Sequence, residues 1–240
     1  MIIQINKMGR FLKTFEYLSY KRWLKRYHFK RRWKYVIMYG PEALSVFSQI
    51  ASRLNINYSL MYGTLLGAYR ENGFIYRDND IDIAVEKSYI TKHLLSEMQK
   101  KGFSIDHSMV SDDKTRLHIA FDYKKLKFDI YSYCLNDNGY ATCSIPRPIN
   151  NWDESYALKK ARVLNITFPY KGYKEILFVG TNVKIWNNVE EVLTINYGED
   201  YMTPIKGRKA KTNDNVWFDP IEKRYFIIMT KEELLTYLPS

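Results

Sequence analysis

Cysteine is scarce in this chain: its 240 residues contain two, Cys134 and Cys143. Two are too few for a disulfide framework at this length, and their separation fits no close metal-ligand spacing, so both read as ordinary reduced thiols. The four histidines, His28, His93, His107 and His118, are scattered and outline no zinc site. No apolar run approaches the ~20 residues of a membrane span. The opening "MIIQINKMGRFLKTFEYLSYKRW" lacks the apolar core and small-residue cleavage site of a signal peptide. The expected location is therefore the cytosol, or a membrane surface facing it. Internal repeats and low-complexity segments are also absent.

Basic and aromatic residues are abundant, and the basic ones are unevenly placed. Residues 1–34 carry eleven Lys or Arg against Glu16 alone, so nearly all of the net charge of +11 belongs to an N-terminal arm. Within the arm Phe11, Phe15, Leu18, Tyr20, Trp23, Leu24 and Tyr27 recur at spacings of three and four, as on one face of a helix. A basic amphipathic helix with Trp and Tyr suits an anionic membrane surface, which residues 7–34 would contact. A helix packed on the main domain by its aromatic face fits the same pattern. Nucleic acid is not favoured as a partner, because no reading motif accompanies the charge. The expected division is a basic amphipathic arm over residues 1–36 and a main domain over residues 37–240.

The apolar periodicity predicts a helix over 40–56 with Pro41 in its first turn, a short strand at "YSLMY" and a second helix at "GTLLGAYR". A strand at about 80–85 follows, then a helix closed by Gly102. "FSIDHSMV", "TRLHIAFDY" and "LKFDIYSYC" read as successive strands. Beyond a less regular middle come a hairpin, "EILFV" and "NVKIW" turning at "GT", and a helix ending at Gly198. The fold class expected is α+β: a mixed sheet flanked by helices, with the basic helical arm in front.

One stretch of this pattern demands a cation. In "DNDID" (residues 78–82) three acids stand at alternate positions at the head of an apolar strand. Alternation sets Asp80 and Asp82 side by side on one face and Ile81 and Ile83 on the other. Adjacent carboxylates repel unless a positive charge lies between them. Asp129 stands among Phe128, Ile130 and Tyr131 in a later strand, where an unpaired charge would be costly. Asp80, Asp82 and Asp129 are therefore the candidate metal ligands, for Mg²⁺ or Mn²⁺. Gly63 and Thr64 open a helix some sixteen residues earlier, where backbone N–H groups and a hydroxyl can meet a phosphate.

Gly-Thr, then Asp-x-Asp, then a distal Asp on a following strand is the order of a nucleotidyltransferase-type site. "GTLLGAYRENGFIYRDNDIDIAV" resembles the signature of the LicD/fukutin family, which commonly reads Gly-Thr-Leu-Leu-Gly-Ala-x-Arg and then Gly-Phe-Ile-Pro-Trp-Asp-Asp-Asp-Ile-Asp. Downstream, "VEEVLTINYGEDYMTP" resembles that family's Leu-x-x-x-Tyr-Gly segment. The resemblance spans roughly residues 40–205. It departs at Tyr76 and Arg77, where Pro-Trp is usual, and at Asn79, which replaces the middle acid.

The resemblance implies a nucleotidyltransferase-like fold and a metal-dependent phosphotransferase. Such an enzyme moves a phospho-alcohol, such as phosphocholine or an alditol phosphate, from its CDP-activated form to a sugar hydroxyl of a glycan or lipid-linked acceptor, releasing CMP. It implies that Asp80, Asp82 and Asp129 hold the metal, with Asp78 supporting it. Either Asp78 or Asp129 would accept the hydroxyl proton. Gly63, Thr64 and Arg70 would meet donor phosphate, Arg77 would tune the substrate chosen, and Tyr197 and Gly198 would mark the downstream substrate-binding block. Two other readings stay open: a nucleotidyltransferase moving NMP from an NTP to RNA, protein or a small molecule, and a membrane- or polyanion-binding module whose acids are only structural.

Overall fold

The computed structural model describes residues 32–76, 78–205 and 213–239. Arg77 and residues 1–31, which hold most of the basic arm, lie outside the described residues.

The first described element is a helix, α1, over 32–53. It starts at least eight residues before the expected one, runs unbroken past residue 36, and so carries Pro41 in its interior. Proline there gives up one backbone hydrogen bond and crowds the residue before it. Gly40 relieves that crowding, and the space its Cβ would take is filled by the Phe74 ring at 2.6 Å. The buried face of α1, with Leu44, Phe47 and Ile50, packs on the sheet through Phe47 and Phe128, whose rings lie 5.4 Å apart.

Strand β1 (Tyr58–Leu60) leads into α2 (Tyr62–Arg70), and β2 (Asp80–Glu86) returns antiparallel to β1. Helix α3 (Lys92–Lys100) is capped by the Thr91 side chain, which accepts the Leu94 N–H. The three expected strands follow as β3 (Ser104–Ser111), β4 (Leu117–Tyr123) and β5 (Leu126–Leu135). The middle, expected to be less regular, contains β6 (Tyr140–Arg147), α4 (Trp152–Leu158) and β7 (Lys160–Pro169). Strands β8 (Tyr173–Phe178) and β9 (Thr181–Trp186) form the expected hairpin. Its turn residues are Val179 and Gly180, both at positive φ, one position earlier than expected. Helix α5 (Val189–Tyr197), β10 (Val216–Phe218), β11 (Phe226–Met229) and α6 (Lys231–Tyr237) complete the chain.

Among the described residues nine strands make one mixed sheet, in the α+β class expected. Strand β6 pairs with both β5 and β7, so β5, β4, β3, β11, β7 and β6 close a ring of hydrogen-bonded strands. The β2–β5 pair is parallel, and the others are antiparallel. Ile81 and Ile83 lie opposite Phe128 and Ile130, and all four are fully buried on the face that α1 covers. No described helix is long and apolar enough to cross a membrane.

Gly67, within α2, shows how tightly the loop before β2 is drawn back. Its carbonyl accepts the N–H groups of Glu71 and Gly73, and a Cβ on it would stand 2.5 Å from the Gly73 carbonyl oxygen. Because the obstacle is backbone, Gly67→Ala is expected to cost about 1–3 kcal/mol, read from chemical denaturation midpoints.

Candidate active site

The parallel β2–β5 pair sets Asp82 directly beside Asp129 and Asp80 beside Lys127. One oxygen from each of Asp80, Asp82 and Asp129 lies within 4.8 Å of the others. Asp82 is 7% exposed and the Asp129 side chain 14%. Burial, then the charges of Asp80, Asp129 and Asp78, pushes the Asp82 carboxyl well above the ordinary carboxylate value. Asp80 is raised well above it by burial first and by Asp78 and Asp129 next, and its carboxyl also hydrogen-bonds that of Asp78. Asp78 is raised by burial, against which the Asn79 N–H at 3.1 Å from Oδ1 works.

Among the described residues, nearby cations do not neutralise this concentration of negative charge. Lys127, the registered neighbour of Asp80, is committed to Asp106 and Asp122, each at 2.9 Å. Arg32, in the first described turn of α1, draws Asp80 down; Arg147, at the exposed end of β6, does the same for Asp82. Asp129 Oδ1 is buried with no hydrogen-bond partner. An orphaned carboxylate oxygen facing two more carboxylates is a costly arrangement for a fold alone. The three acids therefore fit a divalent cation, and an all-oxygen donor set suits Mg²⁺ or Mn²⁺.

The turn from β1 into α2 braces this strand. Met61 N–H donates to the Asp82 carbonyl at 3.0 Å, and the Thr64 hydroxyl accepts the Asp82 N–H at 2.9 Å. Thr64 thus ties the start of α2 to the acid strand. Tyr62 takes a positive φ of 48°, uncommon for a bulky side chain and concentrated at functional turns. Gly63 lies against Asp78: a Cβ there would overlap the Asp78 carboxylate. Arg70 turns toward Glu71 and the Tyr201 carbonyl, the latter at 3.1 Å. It therefore links the end of α2 to the segment after α5.

Tyr197, from the distant second motif, is brought into this cluster. Burial and then the charges of Asp82 and Asp78 push its hydroxyl upward, while Arg147 and Arg70 oppose them. Gly198 ends α5 at φ 92°, and its N–H donates to the Thr194 carbonyl at 2.7 Å. Arg77 is outside the described residues. Arg147, absent from the sequence-based set, carries no motif that marks it; it reaches Asp82 only through the sheet.

Residues 55–188 match the family described as LicD/FKTN/FKRP, nucleotidyltransferase domain. The chain belongs to the LicD family. The match covers more than half of the chain and includes all four acids. It is 27% identical over 154 residues to "Uncharacterized protein RP689" of Rickettsia prowazekii, covering 56% of each chain. It is 26% identical over 163 residues to "Uncharacterized protein RT0683" of Rickettsia typhi, covering 58% of this chain and 49% of that one. The chain spans about half the length of these curated relatives. Tyr197 and α1 lie outside the LicD match, and yet both border the acids. The Trp33 ring of α1 meets Tyr76 edge to face at 5.0 Å, so a residue where this chain departs from the LicD pattern rests on one that the LicD match does not cover.

Proposed function

We propose that this chain transfers a phospho-alcohol, such as phosphocholine or an alditol phosphate, from a CDP-activated donor to a sugar hydroxyl of a glycan or lipid-linked glycan. The observation that carries the reading is the convergence of Asp80, Asp82 and Asp129 within 4.8 Å in a LicD-family chain. A bound Mg²⁺ or Mn²⁺ would offset charge on the phosphate oxygens and on the leaving CMP. Asp80, Asp82 and Asp129 would hold that cation, with Asp78 beside them. Gly63, Thr64 and Arg70 would border the donor phosphates, with Tyr197 beyond them. Arg77 would bear on the choice of substrate.

In the transfer, the acceptor oxygen forms a bond to the phosphorus carrying the alcohol as the bond from that phosphorus to CMP breaks. The hydroxyl proton passes to Asp78 or Asp129. For Asp78, burial favours the protonated form and so strengthens it as a proton acceptor.

The test is product analysis with Mg²⁺ on CDP-choline, CDP-ribitol, CDP-glycerol, CDP-ethanolamine and the four NTPs, with a sugar acceptor present. CMP released from one CDP-alcohol is the expected result. Pyrophosphate released from an NTP, with no CMP, would replace the reading by NMP transfer.

The same proposal assigns residues 7–34 to an anionic membrane surface on the cytosolic side, where lipid-linked acceptors are met. About ten cations at ~1 kcal/mol each near such a surface suffice for attachment. Removing residues 1–31 is expected to abolish sedimentation with phosphatidylserine vesicles and leave neutral vesicles indifferent. Unchanged sedimentation would remove the assignment.

A further inference from the structure

Strand alternation in β4 buries Leu117 and Ile119 in the core and turns His118 to the face that carries the acids. His118 pairs in register with Tyr131, and Ala120 with Asp129, so the small alanine leaves the His118 ring room to lean toward that carboxylate. His118 Nε2 lies 3.6 Å from Asp129 Oδ1. Both atoms are buried, and neither has a hydrogen-bond partner. The ring is 5% exposed and stacks on Tyr131 with centroids 4.6 Å apart and planes 27° apart. Its histidine neighbour does not satisfy it: His107 Nδ1 is 2.9 Å from Asp106 Oδ2.

A buried histidine kept only for packing is ordinarily hydrogen-bonded. Here a potential N–H donor and a carboxylate oxygen face each other, separated by slightly more than a hydrogen bond. A small rotation of the Asp129 carboxylate, whose terminal torsion is soft, closes the gap. Without that donor the carboxylate is free to swing about its axis, and its second oxygen has no fixed direction toward Asp80 and Asp82. With Nε2–H donating, Nδ1 is left as a bare acceptor, which is less costly to bury than an unpaired N–H.

We propose that His118 is a positioning residue of this site, donating Nε2–H to Asp129 Oδ1 and thereby aiming the carboxylate at the position shared with Asp80 and Asp82. The inference rests on the reading of Asp129 as a metal ligand. Hydrogen-bond partners of metal ligands typically carry a 10–100-fold share of metal affinity.

The test is titration of the full chain with Mn²⁺, followed by the electron paramagnetic resonance signal of the free ion, alongside the thermal midpoint of each variant. His118→Phe keeps the ring and its stacking but lacks the donor. It is expected to bind Mn²⁺ about 10–100-fold more weakly at an unchanged midpoint. His118→Gln, whose amide nitrogen reaches the Nε2 position, is expected to recover most of that loss. If the phenylalanine variant does not fold, His118→Asn takes its place, since its amide reaches only the Nδ1 position and should also bind weakly. Wild-type affinity in His118→Phe, or a glutamine variant as weak as the phenylalanine one, would overturn the proposal. Absence of Mn²⁺ binding by the wild-type chain would instead remove the metal site itself and this inference with it, an outcome distinct from any difference among the variants.

Discussion

Asp82→Asn is expected to reduce phosphotransfer by at least ~10³-fold and, at the same time, to make the metal-free chain more stable. The two effects have one cause. Asp82 is buried beside Asp80 and Asp129, and its carboxyl is held well above the ordinary value by burial and by those charges. Ionised and without a cation, it strains the fold; with one, it supplies a ligand worth several kcal/mol in the transition state. The amide is nearly the same size, so packing is retained and only the charge is lost. Relieving about 1 kcal/mol of repulsion raises the midpoint of a chain this long by roughly 2–4 °C. Calorimetry in the presence of a chelator, alongside CMP release, measures both. A variant that is inactive and also less stable would mean that the Asp82 carboxylate serves the fold itself, contrary to the repulsion argued from its neighbours.

The pH dependence follows with a definite sign. Asp78, Asp80 and Asp82 all have folded values raised above the ordinary 3.8 of an aspartate. In the window between 3.8 and the raised values the folded chain binds more protons than the unfolded one. Stability contributed by these groups is therefore greatest at low pH and is lost as pH rises through that window. Relative to wild type, Asp82→Asn should flatten the decline, and saturating Mg²⁺ should oppose it increasingly toward high pH, because the ion displaces protons.

Gly63→Ala is the second large effect expected, at about 100-fold in rate. The new methyl group would overlap the carboxylate of Asp78, which the proposal places beside the metal-binding set as a proton acceptor. Displacing a catalytic group by about 1 Å costs on the order of 10². Steady-state kinetics should show the loss in kcat more than in KM, with the thermal midpoint little changed. Gly63→Ala at wild-type rate would place Asp78 outside the reaction.

Much of this site is written in short-range pattern. Alternation alone set Asp80 and Asp82 on one face and Ile81 and Ile83 on the other, and an acid amid apolar neighbours singled out Asp129. What alternation does not contain is register. The pairing of Asp82 with Asp129 spans two intervening strands, and the approach of Tyr197 and Arg147 to Asp82 depends on elements far apart in the chain. His118 was one of four scattered histidines until β4 aligned with β5. Strands β6 and β7 alternate only over short runs (Ala141, Cys143, Ile145 and Leu164, Ile166, Phe168), and their polar positions are buried too: Ser144 Oγ is 2.7 Å from Asn165 Oδ1, and Asn165 Nδ2 is 2.9 Å from Asp219. Helix α4 did carry a local signal, since the Asn151 side chain accepts the Glu154 N–H in the manner of an N-cap. Pro41 is the opposite case: its residue type suggests a helix start, and the long helix passes through it.

The most direct measurement is an anomalous difference map from crystals grown with Mn²⁺ and CDP. The expected result is a Mn²⁺ peak bounded by Asp80, Asp82 and Asp129, with diphosphate density on the side of Gly63 and Thr64. A map with no peak between these three carboxylates, or with Mn²⁺ and nucleotide bound elsewhere on the chain, would contradict it.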